Sequence, residues 1–140
     1  MNYLLDTNVI SEIQKKSRCN PNVAAWLASV TDESLYISVL VVGEIRRGIE
    51  RLRPRDGDRA ALFDRWLTSI VTGYGDRILP IDREIADEWG RISPNRTIPT
   101  TDGLMVATAR ARSLTFVTRN VAAARGLSAT TLNPFEAAKP

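Results

Sequence analysis

The sequence predicts a small α/β domain with a largely parallel β-sheet flanked by helices. Three observations lead there. Short apolar runs such as Tyr3-Leu4-Leu5 and Leu114-Thr115-Phe116-Val117-Thr118 break off abruptly into polar residues, as buried parallel strands do. Longer stretches between them carry apolar residues at helical spacing. Strands and helices alternate along all 140 residues without an internal repeat or a linker, a length that suits one domain.

Taken in order, Tyr3-Leu4-Leu5 is the first strand, and Asp6 stands at its carboxyl end. Val9 to Lys15 reads as a helix. Asn20-Pro21 opens the next one, with Asn as cap and Pro at the first helical position. Val23, Trp26, Leu27 and Val30 line one face of it, and Thr31-Asp32 closes it. Leu35-Tyr36-Ile37 is a second strand ending at Ser38. From Val39 the period changes, and Val41, Val42, Ile45, Ile49 and Leu52 form one face of a helix that stops before Pro54. After the Arg55-Asp56-Gly57 loop, Leu62, Phe63, Trp66, Leu67, Ile70 and Val71 define another helix, ended by Gly73 and Gly75. These two helices form an antiparallel hairpin.

Arg77-Ile78-Leu79-Pro80-Ile81 is a third strand, and its proline assigns it to a sheet edge. Asp82 caps a helix carrying Ile85, Ala86, Trp89 and Ile92. A loop from Ser93 to Thr100 follows, then Thr101-Asp102-Gly103 opens an alanine-rich helix from Leu104 to Arg112. The fourth strand runs into Arg119-Asn120. A short helix to about Gly126 and a last strand around Thr130-Thr131-Leu132 complete the fold, and 136–140 is expected to fray.

Composition removes more chemistry than it supplies. The chain has no histidine, which excludes Ser-His-Asp and Cys-His catalysis and the usual zinc ligands. A single cysteine, Cys19, excludes an internal disulfide and suits a reducing cytoplasm. No signal peptide is evident, and Val39-Leu40-Val41-Val42 is too short to span a bilayer. Any hydrolysis must therefore rest on carboxylates, with or without a hard metal ion. The net charge of +3 is concentrated between Arg46 and Arg65, where seven arginines face four acids. Such a patch suits a phosphate backbone or an acidic partner, and equally a solvated helical face with pairs such as Arg46–Glu50.

Asp6 follows the first strand, Glu44 lies in the first turns after the second, Asp102 opens a helix, and Asn120 comes two residues after the fourth strand. In a parallel sheet these points share the carboxyl edge, where such folds bind their ligands. Each also has an innocent reading. Asp6 and Asp102 could be helix caps, each contributing about 1 kcal/mol, and Glu44, about 100° around its helix from Ile45, could face solvent. Three carboxylates brought together call for a cation or a shared proton. Oxygen-only ligands fit Mg²⁺ or Mn²⁺.

Leu5-Asp6-Thr7-Asn8-Val9-Ile10-Ser11-Glu12 resembles the opening motif of PIN-domain ribonucleases, and more narrowly of VapC-type toxins of bacterial toxin–antitoxin pairs. Further matching segments follow in family order. They are Ile37-Ser38-Val39 with Gly43-Glu44-Ile45-Arg46-Arg47-Gly48-Ile49, Asp102 to Ala109, Phe116 to Asn120, and Leu132-Asn133-Pro134-Phe135. The resemblance implies one PIN-like nuclease domain over 1–135. It implies a Mg²⁺-dependent endoribonuclease in which Asp6, Glu44 and Asp102 hold the metal, Asn8, Ser38 and Thr118 support those carboxylates, and Asn120 completes the site. It further implies a VapB-type antitoxin, a homodimer and a higher toxin–antitoxin assembly. In one respect the chain departs from the family. Many members carry another acid after the fourth strand, whereas this one reads Asn120-Val121-Ala122-Ala123-Ala124-Arg125, so one ion is expected rather than two.

The expected reaction is attack by a metal-activated water, oriented by Glu44 or Asp6, on a phosphodiester of single-stranded or loop RNA. Arg46, Arg47 and Arg51 are the candidates for the RNA backbone. Two other classes compete. A catalytically inactive module binding nucleic acid or protein is favoured by the missing acid. A Mg²⁺-dependent small-molecule phosphatase is disfavoured by the absence of a Gly-rich phosphate loop and of an Asp-x-Asp pair.

Overall fold

In the computed structural model, residues 1–92, 94–95 and 97–137 are described. Two positions of the expected 93–100 loop, Ser93 and Arg96, lie outside the described residues, as does most of the expected frayed tail.

Five strands form the sheet: β1 (Tyr3–Leu5), β2 (Leu35–Ser38), β3 (Ile78–Leu79), β4 (Thr115–Val117) and β5 (Thr131–Leu132). Their order is β3-β2-β1-β4-β5 and every pairing is parallel. The chain steps outward from β1 through β2 to β3, then returns to the other flank of β1 with β4. The order therefore reverses between β1 and β4, which is where an open α/β sheet leaves a crevice at its carboxyl edge. The assignment of the Pro80 strand to an edge is correct, since β3 pairs only with β2.

Among the described residues six helices complete the domain: α1 (Thr7–Ile13), α2 (Pro21–Ala28), α3 (Val39–Leu52), α4 (Gly57–Tyr74), α5 (Arg83–Ile92) and α6 (Thr100–Ala111). Asn20 caps α2 through Oδ1, which accepts from the Asn22 and Val23 N–H groups, with Pro21 at the first helical position. Asp82 caps α5 through the Ile85 N–H. α3 packs on α4 as the expected hairpin, and α5 packs on α6. Leu4, Leu5, Ile37, Phe116 and Val117 from the sheet, with Val9, Val41, Met105 and Val106 from the helices, form a dry centre under the crevice. Those side chains hold the strand ends rigid, so the polar residues just beyond them have little freedom.

Several boundaries differ from the sequence expectation, each for a local reason. α1 begins at Thr7 rather than Val9, because Asp6 caps it directly. α2 ends at Ala28, three residues early, and Thr31 leads instead into a 3-10 turn over Asp32–Ser34. α6 begins at Thr100 rather than Leu104, following Pro99, whose fixed φ suits a helix entry. The expected helix before Gly126 is a 3-10 turn over Val121–Ala124.

One arginine ties the layers together. Arg77 donates to the Asp32, Leu35 and Gly73 carbonyls and stacks on the Tyr74 ring at 4.9 Å. It thereby fastens the end of α4 to the start of β2. Burial pushes the Tyr74 phenol up to about 12.

Candidate active site

Asp6 is the pivot of the crevice. It is 8% exposed, sits at the carboxyl end of β1 and caps α1. Its two oxygens divide the work. Oδ1 accepts from the Thr7 N–H at 2.7 Å, which is the cap. Oδ2 accepts from the Thr118 hydroxyl at 2.7 Å and from the Asn8 amide at 3.3 Å. The two readings left open for this residue are thus both true of its geometry: it caps a helix and presents a buried, oriented carboxylate.

The supports are themselves supported. Thr118 follows β4, and its hydroxyl oxygen accepts the Asn120 N–H at 3.1 Å. Asn8 accepts the Arg119 N–H at 3.3 Å through Oδ1, which fixes which end of its amide faces Asp6. Bonds across the β1–β4 reversal therefore lock Asp6, Asn8 and Thr118 into one web. Ser38 is different. Its hydroxyl accepts the Leu40 N–H at 3.1 Å and caps α3, with no bond to any of the three carboxylates. Its part is to start the helix that carries Glu44.

Glu44 lies in the second turn of α3 on the exposed rim, and its Oε1 accepts the Thr7 hydroxyl at 2.8 Å. Its carboxyl is raised above the ordinary glutamate value. Desolvation is the main cause and the charges of Asp6 and Asp102 add to it, against the Thr7 hydrogen bond and Arg47. Asp102 is the third residue of α6, half-buried, with no hydrogen-bond partner among the described residues. It does not cap that helix, which begins after Pro99. Its carboxyl is raised by desolvation and then by Asp6. The Thr7 hydroxyl ties Glu44 to the first turn of the helix that Asp6 caps, and the charges of both aspartates add to the rise of Glu44.

Next to Asp102, Gly103 is buried because α6 lies hard against α5 and the loop before it. A Cβ there would come within 2.9 Å of Trp89 Nε1 and 3.0 Å of Ile98 Cδ1. Asn120 is exposed; its backbone N–H is fixed by Thr118, and its side chain makes no hydrogen bond among the described residues.

The arginines divide as well. Arg46 donates to Glu50 at 3.1 Å and to Asp64 at 2.7 Å, and Arg53 shares the same two acids. Arg46 is therefore committed to the α3–α4 hairpin. The paired arginines hold Glu50 and Asp64 each at about 2. Arg47 and Arg51 are exposed, without a hydrogen-bond or ion-pair partner among the described residues, and Arg47 is close enough to oppose the rise of Glu44.

Thr7 was not singled out from the sequence, although it positions Glu44. The available signal was its place as first residue of the helix that Asp6 caps, facing the same crevice. Among the described residues no three carboxylates, cysteines or histidines stand at a spacing that would hold an ion jointly. The donor chemistry nevertheless fits a hard cation: the acids are oxygen ligands whose mutual repulsion an ion would relieve. Mg²⁺ keeps several waters and takes only one or two carboxylates directly.

Comparison with known proteins gives a consistent picture. The family model described as PIN domain matches residues 3–125. Toxin FitB of Neisseria gonorrhoeae is 34% identical over 137 residues, covering 94% of this chain and 97% of FitB. VapC ribonuclease Y4jK of Sinorhizobium fredii is 29% identical over 141 residues, covering 96% and 99%. Among solved structures, FitAB bound to an IR36 DNA fragment superimposes with a TM-score of 0.87 at 31% identity, covering 98% of each chain.

Proposed function

The chain belongs to the PIN-domain family, and from that premise we propose that it is a Mg²⁺-dependent endoribonuclease serving as the toxin of a toxin–antitoxin pair. The observation that carries the catalytic part is the buried Asp6 carboxylate at the sheet reversal, held by Thr118 and Asn8 and linked through Thr7 to Glu44, in a chain without histidine. The toxin part rests on the likeness to FitB and to a VapC ribonuclease over nearly the whole length of each. The cognate partner is a VapB-type antitoxin within a higher assembly of toxin dimers, in keeping with the FitAB likeness.

Asp6 and Asp102 would hold the ion, with Mn²⁺ able to replace Mg²⁺. When bound, the ion polarises the scissile phosphate and lowers the pKa of a coordinated water. The chain's own residues supply the rest. Thr118 and Asn8 keep the Asp6 carboxylate turned into the crevice. Thr7 anchors one oxygen of Glu44 and leaves the other to accept the proton of the attacking water, a task suited to a carboxylate of raised pKa. Arg47 and Arg51 are left to bind backbone phosphates, as Arg46 is not. Attack by water requires no 2′-hydroxyl, so the products carry 5′-phosphate and 3′-hydroxyl ends.

The test is to incubate the purified chain with single-stranded and stem-loop RNA and Mg²⁺, map the ends, and repeat with Asp6→Asn. Internal cuts with 5′-phosphate ends, lost in Asp6→Asn and on chelation, are expected. Ends bearing 2′,3′-cyclic phosphate, or cutting by Asp6→Asn at the wild-type rate, would overturn the reading.

A further inference from the structure

A second cavity opens beside the carboxylate crevice, between α1, α3 and the facing side of α4. It holds about 210 Å³ and is lined by Thr7, Glu44, Gly48, Leu52, Phe63 and Trp66, among others. Thr7 and Glu44 both line it and are hydrogen-bonded to each other, so the groove begins at one of the candidate acids. Its walls are mostly apolar, with Glu44 at one end. Phe63 and Trp66 meet edge to face with ring centres 6.0 Å apart, and the Arg59 guanidinium lies over the Phe63 ring at 5.6 Å. Arg47 and Arg51 lie on the same helix as Gly48. Along the floor, a Cβ added at Gly48 would meet nothing within 4 Å.

We propose that this groove seats one unpaired nucleobase of the RNA whose neighbouring phosphate is cut, with Trp66 and Phe63 as the stacking wall and Glu44 as the polar end. The proposal rests on the ribonuclease reading above and names the part of the substrate recognised. Three features favour a base as the occupant. The volume falls below the roughly 300 Å³ at which drug-sized pockets begin, which suits a single planar ring system. Two aromatic side chains beside an arginine are the combination that stacks bases irrespective of sequence. The pocket is also lined by Glu44, which Thr7 holds, so a base lodged there lies beside one of the three candidate acids. Trp66 and Phe63 are then positioning residues, acting on where the phosphate lies and not on its chemistry.

The test compares binding of a labelled single-stranded RNA with that of a fully abasic ribose-phosphate oligomer of equal length. Ca²⁺ replaces Mg²⁺ to suppress turnover, since it takes the same oxygen donors. Wild type, Trp66→Ala and Gly48→Leu are measured, the last extending into the groove from a position where an added Cβ meets nothing within 4 Å. Wild type should prefer the base-bearing strand by about tenfold or more. Both variants should lose most of that preference while binding the abasic strand as wild type does, with Gly48→Leu melting close to wild type. Equal wild-type binding of the two strands, or a preference that survives in Gly48→Leu, overturns the proposal. So does a Gly48→Leu chain that binds RNA normally but no longer co-purifies with its antitoxin, which would give the groove to a protein segment. If wild type shows the groove-dependent preference yet cuts no RNA, the nuclease reading fails and the base site stands.

Discussion

The Thr118 hydroxyl donates to Asp6 Oδ2 at 2.7 Å across 112 residues of sequence, bridging the ends of β4 and β1. It is a buried bond at the one place where strand order reverses, and it decides which way the Asp6 carboxylate faces. Thr118→Val keeps the shape and removes the donor. Metal affinity should fall by about 10- to 100-fold, as when other supports of a ligand are removed. The fold should lose about 1–2 kcal/mol, since a buried carboxylate is left one partner short. Calorimetric titration with Mn²⁺ and a denaturant melt measure the two effects separately.

Glu44 and Asp102 give the metal-free chain a pH dependence of unusual sign. Both have folded-state pKa values above their unfolded ones. In the interval between the two values the folded state binds more protons than the unfolded state, so stability falls as pH rises through it. Metal-free protein should therefore melt lower at pH 7 than just above pH 4 as far as these two groups are concerned. Asp102→Asn, which removes a charge that lacks a hydrogen-bond partner among the described residues, should raise the neutral-pH melting temperature while abolishing RNA cleavage. Thermal melts in chelator across pH 4–8 check this; a lower neutral-pH melting temperature for Asp102→Asn would contradict it.

How far the sequence reaches is visible in these same residues. Abrupt apolar-to-polar switches place Asp6 and Thr118 at strand ends, and no later contact alters that. Asn20-Pro21 marks a helix start because cap chemistry is local. What escapes is whatever depends on partners distant in sequence. Nothing near Thr7 tells that its hydroxyl meets Glu44, 37 residues on. Arg46 is the plainest case. Its local pattern shows a basic patch with Glu50 one turn away, but Asp64, on the returning arm of the hairpin, is what completes its pairing.

That pairing separates the three candidate arginines. Arg46 is bound by two carboxylates, whereas Arg47 and Arg51 are exposed and unpaired among the described residues. Arg47→Ala should weaken RNA binding at all sequences alike and reduce the salt-dependence slope by about one. Arg46→Ala should leave that slope unchanged and instead loosen the α3–α4 hairpin. Binding isotherms at several salt concentrations distinguish the two, and equal slopes for both variants would return Arg46 to the RNA surface.

Three glycines near the site should respond to alanine in opposite directions. Gly43 and Gly48 lie within α3, and a Cβ at either meets nothing within 4 Å. Gly43→Ala and Gly48→Ala should each stabilise the chain by about 0.5–1 kcal/mol through lost freedom of the unfolded chain. Gly103 lies within α6, where the added carbon would press on Trp89 and Ile98. Gly103→Ala should cost about 1–3 kcal/mol as an overpacked contact. Because Asp102 precedes it in the same helical turn, displacement of α6 should also slow RNA cleavage, with Gly43→Ala as the unaffected control. Denaturant melts and single-turnover cleavage on the three variants test both halves, and a Gly103→Ala chain as stable and active as wild type would show that Trp89 moves aside freely.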